Sequence, residues 1–100
     1  MTRTFKDIIA WQKSYEYCLC VYEVTRTFPD FEKFGLRSQF TRAAISIPAN
    51  IAEGYKKLSK ADKLRFFNIA QGSLEEYRCY NMLSKDLQYI NNEQFETLEY

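Results

Sequence analysis

Arg42, Asn50 and Glu53 are the residues of this chain whose types and spacing come nearest to a site for chemistry. On a helix at about 100° per residue they fall with Gln39 and Ser46 in one stripe, some 240–320° around from Leu36. A stripe of that composition could bind a polar ligand or move a proton. The plainer reading, adopted here, is a structural polar network that ties its helix to neighbours, because a buried Arg or Glu must find a partner. Glu75 and Glu76 suggest paired carboxylates, but adjacent helix residues point about 100° apart and do not share a site. The sequence contains no histidine. Its absence removes the commonest general base and excludes Ser-His-Asp triads, His-bearing zinc sites and Glu-x-x-His di-metal bundles within one chain. Cys18, Cys20 and Cys79 are an odd number with no CxxC spacing, so they read as reduced core thiols of a cytosolic protein. These residues call for no catalytic role, no metal and no cofactor, and an enzyme is not expected.

The elements that must position these residues are helices. One hundred residues with 46% hydrophobic and 17% aromatic side chains make one globular domain, 1–100, and only three Gly and two Pro interrupt it. Ile8, Trp11, Tyr15, Cys18, Leu19 and Tyr22 recur at i, i+3/i+4 over about Asp7–Thr27, with apolar residues on both sides. This spacing predicts a first helix buried over most of its circumference. Phe28 to Gly35 breaks the period. A second helix runs from Leu36 to Glu53 with Gly54 as its C′ residue and Pro48 bending or loosening it. Ser59 opens a third helix reaching about Ile90, with Phe66, Phe67, Ala70, Leu74, Tyr77 and Tyr80 on its core face, and Gly72–Ser73 small enough to admit another helix. Asn91 and Asn92 separate it from a fourth helix, Glu93–Tyr100. No apolar run is long enough to cross a membrane or serve as a signal peptide.

Two features speak about partners. The second helix carries an ordinary core stripe, Leu36, Phe40, Ala43, Ile47 and Ile51, but its opposite side is also apolar, with Ile45, Ala49 and Ala52. Such a helix is either central in the fold or covered by another chain; the second is preferred, and these three residues are expected to form an oligomer interface. The net charge of +1 conceals segregation. Residues 33–65 hold eight basic and two acidic residues, a net +6, against −1 for residues 1–32 and −4 for residues 66–100. Arg37, Lys56, Lys57, Lys60, Lys63 and Arg65 are therefore candidate phosphate contacts for RNA or DNA, with no base-reading motif among them.

The run Leu36-Arg-Ser-Gln-Phe-Thr-Arg-Ala-Ala-Ile-Ser-Ile-Pro-Ala-Asn-Ile-Ala-Glu-Gly54 resembles the signature of the small bacterial four-helix bundle proteins, also called the 23S rRNA-intervening-sequence or S23 protein family. Phe5-Lys-Asp-Ile-Ile-Ala-Trp-Gln-Lys13, Phe28-Pro, Glu32-Lys-Phe-Gly-Leu36 and Ala70-Gln-Gly-Ser-Leu-Glu75 support it in order. The resemblance implies an all-α, antiparallel up-down four-helix bundle that assembles as a homopentamer, with no enzymatic activity. Some members of the family are encoded within intervening sequences of 23S rRNA genes, and a related branch, the accessory variability proteins of diversity-generating retroelements, binds nucleic acid and its partner reverse transcriptase through a basic surface. Thr41-Arg42 stands where the family often has two Arg, and Gln71 where it often has one, so this chain is less basic there. Its fourth helix is expected to be short or truncated.

Overall fold

Four α-helices follow one another in the computed structural model, which describes residues 4–100: α1 (Ile9–Thr25), α2 (Leu36–Lys56), α3 (Lys60–Asp86) and α4 (Asn92–Leu98). There is no strand among the described residues. Helix starts have identifiable donors and acceptors. Ser59 Oγ accepts from Asp62 N at 3.1 Å, and Asn91 and Gln94 exchange side-chain-to-backbone hydrogen bonds at 2.8 and 2.9 Å. At α2, whose preceding residue Gly35 has no side chain to offer, Glu32 does this work from the preceding turn. Its Oε1 accepts from Leu36 N at 2.9 Å, and its Oε2 accepts from the Tyr89 hydroxyl at 2.8 Å. The backbone N–H first and then the phenol hold the Glu32 carboxyl below its ordinary range.

α2 is the middle element. α1 packs on one side of it and α3 on the other, while α4 touches both α1 and α3 and closes one end of a 43 × 22 × 17 Å bundle. The predicted stripe of Leu36, Phe40, Ala43, Ile47 and Ile51 is buried, joined by Ala44 and Pro48, and α2 continues through the proline without a break. Beside it Tyr77 is fully buried, its ring 5.3 Å from Phe40 and 6.2 Å from Tyr17. Its hydroxyl donates to Leu98 O at 2.6 Å, and burial, helped by Tyr17, pushes its pKa well up. Tyr17 donates to Glu99 O and Asn81 to Phe95 O. Three side chains from α1 and α3 thus hold a fourth helix of seven residues, as short as its sequence suggested.

Several sequence expectations change. α1 is not buried over most of its circumference: Ser14, Cys18, Val21 and Thr25 are inside, whereas Tyr15, Leu19 and Tyr22 are exposed. Only Cys18 is a core thiol; Cys20 and Cys79 reach solvent. α3 ends at Asp86 rather than near Ile90, because Gln88 turns into the left-handed region (φ 64°) and lets Tyr89 N bond Ser84 O at 2.9 Å. Gly54 is not a C′ residue: α2 runs past it to Lys56. Its value is space, since a Cβ there would stand 2.8 Å from the Phe67 ring and 3.2 Å from Phe66 Cβ. Gly72 is the reverse case, with nothing within 4 Å of such a Cβ, so no helix of this chain uses the gap it leaves.

Candidate nucleic-acid interface

The polar stripe of α2 divides into two parts. Near the α3 contact, Asn50 Nδ2 donates to Ser46 Oγ at 2.9 Å and to Ser46 O at 2.8 Å, and the Ser46 and Ser73 hydroxyls meet at 2.8 Å. These three residues are the structural network, and it fastens α2 to α3. Gln39 and Arg42 are exposed instead and line an open cleft of about 370 Å³ with Ala43, Ser46, Ser73 and Glu76. Arg42 has no hydrogen bond or ion pair among the described residues. Glu53 is also exposed and pairs with Lys57 at 3.4 Å. Arg42, Asn50 and Glu53 therefore do not converge on one point, and no nucleophile stands beside a base there. Among the described residues no group of His, Cys, Asp or Glu is placed to hold a metal ion.

The basic residues cluster where α2 hands over to α3, with one exception. Arg37 sits on the first turn of α2, about 28 Å from Lys56 at 1.5 Å per residue. The other five share one end of the bundle but have different roles. Lys63 Nζ donates to Tyr55 O at 2.8 Å and more weakly to Gly54 O at 3.4 Å, so it satisfies the Tyr55 carbonyl at the end of α2 and shares Gly54 O with the Lys57 N–H. It also lies 5.7 Å over the Tyr55 ring. Lys57, besides its pair with Glu53, lies 5.0 Å over Phe66, and Arg65 lies 4.9 Å over the same ring with Asp62 at 3.9 Å. Lys56 and Lys60 are exposed and make no ion pair or hydrogen bond among the described residues. The five cations of this junction thus divide into three engaged in holding it together and two that make no such contact among the described residues. That division depends on contacts across the turn. Only the general preference for Lys near a helix C-terminus hinted at it.

The second apolar face of α2 is open in the single chain. Ile45 keeps 49% of its surface, Ala49 is exposed and Ala52 half-buried. A groove of about 460 Å³ runs along Ala49, Ala52 and Glu53 between Phe5 and Tyr55, with Thr4 and Lys56 at its rim. Phe5 meets Trp11 edge-on at 5.1 Å, and Trp11 stacks on Tyr15 at 4.9 Å, so the apolar surface continues onto α1 toward Leu19 and Tyr22. At the far end of the molecule Phe31 and Phe34 stand 77% and 87% exposed, a pair the sequence reading passed over as part of a connection.

No helix among the described residues is long and apolar enough to cross a membrane. No curated protein matches the chain. A crystal structure of a protein of unknown function from the S23 ribosomal protein family of Bacteroides thetaiotaomicron VPI-5482 superposes with a TM-score of 0.83 at 27% identity, over 90% of this chain and 84% of that one. The family model for the 23S rRNA-intervening sequence protein matches residues 6–100. The all-helical bundle and the match over nearly the whole sequence agree, and the chain belongs to the 23S rRNA-intervening sequence protein family.

Proposed function

We propose that this is a cytosolic, non-enzymatic nucleic-acid-binding protein that works as a homo-oligomer, the homopentamer that the family resemblance implies. Copies associate through Ile45, Ala49 and Ala52 together with the exposed strip of α1, and each contributes one basic end to a shared surface. The observation that carries the binding half is that Lys56 and Lys60 have no ion pair or hydrogen bond among the described residues, beside three engaged cations. Repetition by symmetry multiplies a small footprint into a field that one copy lacks. Such binding is sequence-independent and salt-sensitive. Titration of labelled RNA and DNA across a salt series is expected to show affinity falling linearly in log–log form. Lys56→Gln and Lys60→Gln should each reduce the slope by about 1 per binding chain. Absence of binding near about 50 mM salt, where phosphate contacts are strongest, overturns the reading.

A second reading, a scaffold for a protein partner such as a reverse transcriptase, is favoured by Phe31 and Phe34, two large rings three positions apart that are both exposed in the α1–α2 connection. Co-purification from the native host, lost in Phe31→Ser/Phe34→Ser, is its test. A chain recovered with no retained partner counts against it.

A further inference from the structure

The basic end carries aromatic rings as well as lysines, and rings are what single-stranded nucleic acids use: successive bases stack on them, each contributing substantially to affinity. Here those rings are already covered. Phe66 has two cations over it, Lys57 at 5.0 Å and Arg65 at 4.9 Å, both inside the roughly 6 Å range of a cation–π contact. Tyr55 has Lys63 at 5.7 Å, and that lysine is fixed by its bonds to Tyr55 O and Gly54 O. The rest of Tyr55 lines the apolar groove with Ala49 and Ala52, the surface assigned above to a second copy. Phe5 lines that same groove, and Phe67, although 38% exposed, has its ring edge tucked against Gly54; the one ring left over is no platform for a run of bases. What this end presents outward is charge, Lys56, Lys60 and the outer sides of the three engaged cations, together with the aliphatic side chains of Leu58 and Leu64, which offer a base no ring to stack on.

We propose that the ligand at this end is double-helical nucleic acid held through its phosphate backbone alone, with the bases making no stacking contact. The inference rests on the nucleic-acid reading above and narrows it. A duplex offers one phosphate per about 1.7 Å of axis, the denser charge, and has no unpaired bases to place.

Three labelled ligands of equal length test it at about 50 mM salt: a duplex, one of its strands alone, and an abasic strand. The expected result is tightest binding to the duplex, with the two single strands equal within about twofold. Stacking would instead appear as a loss of roughly fivefold to 150-fold for each contacted base removed. A single strand that outbinds the duplex and weakens when made abasic overturns the inference and leaves nucleic-acid binding standing. Failure of all three ligands to bind removes the broader reading and this one with it. In the double variant Lys57→Gln/Arg65→Gln, which bares Phe66, the base-bearing strand should gain on the abasic strand. An unchanged ratio shows that these cations are not what keeps bases away.

Discussion

Phe40 and Ile45 lie five residues apart on one helix and meet opposite surroundings. Phe40 has no exposed surface and packs its ring on Tyr77, whereas Ile45 keeps half of its surface in water. The same division recurs in the glycines. Gly54 lies under Phe66 and Phe67, and Gly72 stands in open space on α3. The inner face of the bundle has no room for one more carbon at Gly54, while the outer one carries the same kinds of residue at Ile45 and Gly72 with open space beside them. In a single chain, the outer apolar residues have no packing reason to be there. Burying them against another copy supplies one, at about 25 cal/mol for each Å² removed from water.

The contrast can be broken in four places. Phe40→Ala should be the most damaging, lowering unfolding free energy by about 3–5 kcal/mol in a denaturant titration, since it opens a cavity beside Tyr77. A loss below about 1 kcal/mol would mean that the inner face is loosely packed. Gly54→Ala should lose about 1 kcal/mol net, because crowding against Phe67 at about 1–3 kcal/mol outweighs the roughly 1 kcal/mol that alanine gains in a helix. Phe67→Leu in the same background should recover part of it. Gly72→Ala should act with the opposite sign and stabilise by about 0.5–1 kcal/mol. Should it destabilise and shift the assembled mass, a helix from another copy occupies that gap. Ile45→Glu should change the folding of the chain least, within about 0.5 kcal/mol and with helicity retained, yet reduce the mass seen by size exclusion. An unchanged mass would remove Ile45 from the interface.

Periodicity made most of the bundle legible. The α2 stripe from Leu36 to Ile51 and the cap at Ser59 were readable, because each depends on residues three or four positions apart. Gly54 misled for a physical reason: its φ is ordinary, and its role is set by Phe67, thirteen residues away. The clasp between Glu32 and Tyr89, separated by 57 positions, has no local signature. At the basic end composition disclosed the charge but not its commitments, since whether a lysine is free or capping a helix is decided across the turn. Arg37 was grouped with the others by charge alone, and the length of α2 sets it apart.

α4 cannot be helical by its own means. Seven residues fall well short of the 12–15 at which an isolated helix becomes marginal in water. Its persistence is borrowed from the hydroxyl of Tyr77 on Leu98 O, from Asn81 on Phe95 O and from Tyr17 on Glu99 O. In the language of hydrogen exchange, α4 is a separate opening unit: its amides should trade protons through a local detachment that leaves α2 and α3 protected. The molecule therefore has two free energies of opening, one for letting go of its last helix and a larger one for losing the bundle.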